Sequence, residues 1–141
     1  MKIVPAKITK VTSYRVIYGD TDQMGVVYYA NYLRWFERGR SEFLRQIGLP
    51  YSAIEQQGFN FPVVEVSCRY AQSARYDDVV RIETELTEVG RAALSFRYRI
   101  LRETDGCVLA SGATRHASID NSGRVTRIPK TLLDAIEASA D

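Results

Sequence analysis

Between Tyr18 and Asn31 the chain reads Y-G-D-T-D-Q-M-G-V-V-Y-Y-A-N, and a helical pattern begins at the far end of this stretch. Two carboxylates, Asp20 and Asp22, precede a glycine and an aromatic-rich helix entry. The start of a helix presents backbone N–H groups that have no partner inside the helix. Its aligned peptide dipoles place about half a positive charge at that end. A carboxylate held just upstream can serve as a nucleophile or a base. The open N–H groups can hold a developing oxyanion. The segment thus carries the parts of an acyl-transfer site without a Ser–His or Cys–His pair.

The elements that must position these residues follow from periodicity. Residues 11–18, V-T-S-Y-R-V-I-Y, are rich in β-branched and aromatic types and predict a strand ended by Gly19 and Asp20. Over 29–47 the period becomes helical: Tyr32, Leu33, Phe36, Phe43, Leu44 and Ile47 share one side, and Gly48 with Pro50 stops the run. Gly39, in mid-helix, costs about 1 kcal/mol against alanine and points to close packing of another backbone there. A short helix is predicted over 51–57, closed by Gly58. Strands are predicted over 63–70, 79–88, 92–102 and 107–119. Val80, Ile82, Thr84 and Leu86 share one face of the second, and Leu94, Phe96, Tyr98 and Ile100 alternate with polar residues in the third. Gly90, Thr104-Asp105-Gly106 and Asn121-Ser122-Gly123 supply turns, and Pro129 opens a last helix over 130–138. One strand, a long helix, then four more strands gives an α+β fold with one antiparallel sheet.

The chain has 141 residues, 45% hydrophobic and 26% charged, which fits a single domain over 1–141. Nineteen basic residues against 17 acidic ones leave a net charge of +2, spread along the chain, so nothing argues for nucleic acid. Cys68 and Cys107 lie far apart, each without a nearby His or second Cys, which excludes a cysteine metal site or redox pair. Two thiols in a reducing compartment are expected. No run of about 20 apolar residues is present, and Met1 to Lys10 lacks an apolar core of signal-peptide length. A cytoplasmic, non-membrane-spanning protein without metal or cofactor is expected.

The motif and the element order together resemble a known family. Asp20-Thr21-Asp22, Gly25-Val26-Val27-Tyr28-Tyr29-Ala30-Asn31-Tyr32, Arg34-Trp35-Phe36-Glu37 and Ala74-Arg75-Tyr76-Asp77-Asp78 are similar to the hotdog-fold acyl-CoA thioesterases of the 4-hydroxybenzoyl-CoA thioesterase type. Within that family the chain resembles the short-chain branch associated with the Tol–Pal gene cluster, over roughly residues 12–137. The resemblance implies a long central helix wrapped by a five-stranded antiparallel sheet. It implies a catalytic carboxylate at Asp22 and an oxyanion contact from the backbone N–H of Tyr29. Substrate contacts fall to Gly25, Val27, Tyr28, Asn31 and Arg91. Arg91 stands where one relative uses basic residues for nucleotide phosphates, with Ala92 and Ala93 beside it. The substrate implied is an acyl-CoA, or a thioester of acyl carrier protein. A homodimer or homotetramer is implied, with the site between subunits.

Several residues have plainer readings. Asp20 suits a turn after the strand. Gly25 allows close approach of the backbone to a ligand or a positive φ, and Asn31 caps the helix or orders the loop. Tyr28, Tyr32 and Trp35 suit packing and pocket wall, Glu37 and Glu42 suit a solvated helix face, and Arg75 with Asp77-Asp78 reads as a charged turn. His116, the one histidine, reads as structural. The leading function is thioester hydrolysis. The alternative is a non-catalytic module on the same fold that binds acyl-CoA or acyl carrier protein. A hotdog dehydratase would need a His motif near the central helix, which His116 does not supply.

Overall fold

The computed structural model describes residues 8–140. Strand β1 (Ile8–Arg15) is followed by a 3-10 turn (Tyr18–Asp20), helix α1 (Asn31–Gln46) and short helix α2 (Tyr51–Gln56). Then come β2 (Phe59–Asn60), β3 (Val63–Tyr70), β4 (Val79–Val89), β5 (Ala93–Arg102), β6 (Val108–Ala117), β7 (Ile119–Asp120) and α3 (Lys130–Ser139). Five strands form one sheet in the order β1-β4-β5-β6-β3, with every pairing antiparallel. This is the expected α+β arrangement, a sheet curled around a long helix.

The boundaries move where tertiary pairing overrides local propensity. The first strand, expected over 11–18, runs instead from Ile8 to Arg15, because its partner β4 begins at Val79, opposite Arg15. Beyond that point Val16 donates its amide to Asp78 O, and Tyr18–Asp20 turns. Helix α1 starts at Asn31, two residues later than expected. The last long strand, expected over 107–119, stops at Ala117, and Ile119–Asp120 pairs with Phe59–Asn60 in a separate two-stranded ladder. The part of the leader reading on residues 1–7 lies outside the described residues.

Helix α1 turns Tyr32, Trp35, Phe36, Gly39, Phe43 and Leu44 toward the sheet. On the sheet side, Val80, Ile82 and Leu86 of β4 and Leu94, Phe96, Tyr98 and Ile100 of β5 are buried, as their alternation predicts. Phe36 stacks on Tyr98 at 4.4 Å between ring centroids, and Phe43 meets Phe96 edge-on at 5.3 Å. Each such side chain contributes about 1.5–3 kcal/mol on burial. Two glycines make the close approach possible. A Cβ on Gly39 would overlap Ile82 and Thr84 of β4, so the close packing expected there is real, but the neighbours are side chains and not backbone. A Cβ on Gly112 of β6 would overlap the Phe36 ring and Ser67 O. The outer face is polar, with cross-strand pairs such as Arg99–Glu83 at 2.9 Å. No helix among the described residues is long and apolar enough to cross a membrane.

Candidate active site

The D-x-D segment folds into a compact loop between β1 and α1. Asp20 is its anchor. One carboxylate oxygen accepts the Tyr14 hydroxyl at 2.8 Å and the Ile17 N–H at 2.9 Å. Its carbonyl accepts the Tyr28 N–H at 2.9 Å and the Asn31 side-chain amide at 2.8 Å. Asp20 is therefore structural, as its turn position suggests, and Asn31 orders the loop. A second turn spans Asp22 to Gly25, where Gly25 N–H meets Asp22 O at 3.0 Å and Gly25 takes φ 78°. Of its two sequence readings, positive φ is the one seen. The Val27 N–H then donates to Ala74 O at 2.8 Å, tying the loop to the segment before β4.

Asp22 sits half-buried on this scaffold. Its Oδ1 accepts the Met24 N–H at 2.9 Å, a local Asx turn. Oδ2 has no hydrogen-bond partner among the described residues. Asp22 lines a cavity of about 220 Å³ with Val27, Tyr29, Tyr32, Tyr70 and Gln72.

Tyr29 lines the same cavity. Tyr28 O accepts the Asn31 N–H at 2.9 Å, so it points into the first turn of α1. In a trans peptide the following N–H points the opposite way. The Tyr29 N–H therefore points away from the helix, and it has no hydrogen-bond partner among the described residues. The next carbonyl, Tyr29 O, is held by the Tyr32 N–H at 3.3 Å and the Tyr70 hydroxyl at 3.0 Å. Asp22 and Tyr29 thus line one cavity beside the first turn of α1, and Asp22 Oδ2 and the Tyr29 N–H have no hydrogen-bond partner among the described residues.

Aromatic rings form the wall. Tyr32 is buried, and its hydroxyl accepts the Ala74 N–H at 2.9 Å. Tyr29 and Tyr32 each meet Tyr70 edge-on, at 6.2 and 5.2 Å between centroids. Burial, reinforced by the neighbouring Cys68, pushes the Tyr70 hydroxyl up to about 12, so it remains a donor. Sequence reading missed Tyr70: it ends an ordinary strand, and only the fold brings it to Tyr29. Tyr28, half-exposed, lies tilted against Tyr29 at 4.8 Å between ring centroids. The Tyr29 side chain raises the Tyr28 phenol above its usual range.

Of the expected site residues, Asp22, Val27 and Tyr29 line this cavity, while Gly25, Tyr28 and Asn31 shape the loop that carries it. Arg91 is not part of its wall; it lies in the β4–β5 turn, its carbonyl accepting the Ile128 N–H at 3.0 Å. His116 is structural. It donates from one ring nitrogen to Phe61 O at 3.0 Å and accepts from Thr114 at the other at 2.8 Å. Burial lowers its pKa to about 4, which keeps the ring neutral. Cys68 and Cys107 are free thiols, and no cluster of metal-binding side chains occurs among the described residues.

Comparison with known proteins agrees with this architecture. The chain is 38% identical to the acyl-CoA thioesterase YbgC of Haemophilus influenzae over 107 residues, 75% of this chain and 77% of that one. A crystal structure of a hypothetical protein from Thermus thermophilus superposes with TM-score 0.87 at 40% identity, covering 95% of this chain and 99% of the other. A mutant 4-hydroxybenzoyl-CoA thioesterase solved with 4-hydroxybenzoyl-CoA superposes with TM-score 0.82 at 25% identity, covering 91% and 98%. The sequence model of the thioesterase-like superfamily matches residues 16–136. The chain therefore belongs to the thioesterase-like superfamily, in its hotdog-fold, 4-hydroxybenzoyl-CoA thioesterase-type form.

Proposed function

We propose that the protein is a hydrolase that cleaves acyl-CoA thioesters to free acid and coenzyme A. Asp22 acts as nucleophile or general base, and the Tyr29 N–H holds the oxyanion. The observation that carries this reading is the pairing of an unengaged Asp22 Oδ2 with an unengaged Tyr29 N–H at one cavity. The thioester carbonyl carbon takes up oxygen from water, directly or by way of an Asp22 anhydride. The carbonyl oxygen gains charge against the amide and the helix dipole. In the direct route the carbon–sulfur bond breaks after water has added; in the anhydride route Asp22 adds, the bond breaks to release thiolate, and water then opens the anhydride. In both, one water proton ends on the departing thiol and the hydroxyl remains with the carboxyl products.

A short acyl group, as the Tol–Pal-associated branch implies, suits a cavity of about 220 Å³. The carrier is coenzyme A, with acyl carrier protein as a near variant. The assembly proposed is a homodimer or a dimer of dimers in the cytoplasm, one domain per chain. Strand β3 supports it, because it is an edge strand with Val63, Val64 and Val66 exposed at 43%, 57% and 47%.

The test is thiol release from a panel of acetyl-, butyryl-, octanoyl- and benzoyl-CoA. Turnover of at least one at kcat of about 1 per second or more fits an ordinary enzyme. Tight calorimetric binding of the same compounds without thiol release would establish the alternative, a non-catalytic binding module.

A further inference from the structure

The amide assigned to the oxyanion has to be held where the charge develops, and its neighbours show what holds it. Tyr29 precedes Ala30, the N-cap residue of α1, so its backbone lies outside the helical ladder. Two short turn bonds reach it from the helix: Asn31 N–H to Tyr28 O at 2.9 Å and Tyr32 N–H to Tyr29 O at 3.3 Å. The second is longer than an ordinary N–H···O bond. Both belong to a helix terminus, where ends fray. The sheet supplies a further tie. The Tyr70 hydroxyl donates to Tyr29 O at 3.0 Å, and it is the one side-chain donor on that carbonyl among the described residues.

Tyr70 is well placed to act as that tie. It ends β3 opposite Ala110 of β6, and the next two amides, of Ala71 and Gln72, donate to Leu109 O at 2.9 and 3.1 Å. Its main chain is thus fixed to the five-stranded sheet. Its ring meets those of Tyr29 and Tyr32 edge-on, which aims the phenol. A carbonyl only accepts, so the single phenolic hydrogen points at Tyr29 O. The Cys68 side chain hydrogen-bonds the same hydroxyl, and with that hydrogen committed the thiol is the donor. The cavity's other polar side chains are engaged elsewhere: the Tyr32 hydroxyl accepts the Ala74 N–H, and Asp22 accepts that of Met24. Tyr70 is 44% exposed, and a contact so open to solvent contributes little to the stability of the fold. Yet it acts one peptide away from the oxyanion donor.

We propose that Tyr70 is a positioning residue: its hydroxyl, through Tyr29 O, holds the Tyr29 N–H in the orientation that receives the thioester oxyanion. The proposal rests on the hydrolase reading and adds to it a residue of β3, 41 positions away in the chain. A donor fixed before the reaction needs no reorganisation as charge builds on the oxygen. A donor on a frayed helix end has to be reordered at each turnover, and a misplacement of about 1 Å can cost about 100-fold in rate. In this role the phenol contacts the peptide and not the reacting atoms.

Tyr70→Phe keeps the ring and removes the hydroxyl. The full chain is assayed for thiol release from the acyl-CoA panel, with kcat and KM measured separately, and the amide spectrum is recorded without substrate. The expected fall in kcat is about 10-fold, short of the loss of about 100- to 1,000-fold that follows outright removal of an oxyanion donor. KM should stay within about 3-fold, the pattern of a contact that matters only in the transition state. The Tyr29 and Ala30 amides should shift and broaden, while Tm moves by no more than about 3 °C. An active wild type matched in kcat by Tyr70→Phe, a raised KM at unchanged kcat, or an unmoved Tyr29 amide would each overturn the proposal. So would a Tm lower by more than about 10 °C, or failure to fold, since the hydroxyl would then support the whole fold. Wild type that releases no thiol from any compound of the panel would instead overturn the hydrolase reading, and this inference with it.

Discussion

Asp22→Asn separates the charge of this side chain from its part in the fold. The carboxylate accepts the Met24 N–H at 2.9 Å through Oδ1. Asparagine keeps a carbonyl oxygen that can accept the same bond, and the turn around it is held by the Asp22–Val26 and Gly25–Asp22 backbone pairs. The substitution should therefore change stability by no more than about 0.5 kcal/mol. For a chain of this length that is a shift of about 2 °C in Tm. What disappears is the negative charge and the Oδ2 that has no hydrogen-bond partner among the described residues, the atom assigned to attack carbon or take a proton from water. Loss of a general base of this kind lowers kcat by about 10²–10⁴-fold, or about 3–5 kcal/mol of barrier. The Tyr29 amide and the helix dipole survive, so a residual rate above that of buffer should remain. The assay is thiol release at saturating acyl-CoA, with KM measured alongside. A normal melt together with turnover within about 3-fold of wild type would refute the role assigned to Asp22, because no other change was made at the cavity. In a single turnover in ¹⁸O-water, unlabelled acid from the first cycle would identify attack by the carboxylate itself.

Three further outcomes follow from the packing. Gly39→Ala should destabilise by about 1–2 kcal/mol in urea unfolding: overpacking against Thr84 and Ile82 outweighs the gain in helix propensity. Thr84→Ala in the same chain should recover part of that loss, since the Thr84 hydroxyl is buried without a hydrogen-bond partner. His116, depressed by burial from 6.5 to about 4, binds its proton more readily unfolded than folded. Stability should fall as pH drops from about 6.5 toward 4 and level off below, by at most about 3 kcal/mol from this group, and His116→Gln should flatten that slope in denaturation series. Val66→Lys, on the exposed edge strand β3, should convert a dimer to a monomer in sedimentation with little change in monomer stability.

The parts of the fold that could be read from sequence are those where burial imposes a period. The spacing of Tyr32, Phe36 and Phe43 specifies α1 because one face of that helix meets the sheet. The alternation in β4 and β5 specifies those strands for the same reason. Strand β1 shifted by three residues because its end is set by where Val79 begins the partner strand, a contact its own residues do not encode. The two-residue β2–β7 ladder is too short to carry any period. The site divides the same way. That Asp22 and Tyr29 lie side by side at one cavity was legible because a turn, a carboxylate and a helix start fall within a few residues of one another. Tyr70 was not, because it meets Tyr29 across 41 residues of chain. Local chemistry is thus readable where the chain doubles back within a turn. Chemistry created by burial becomes visible only once the long-range pairs are made, and the Tyr70 hydroxyl on Tyr29 O is of that kind.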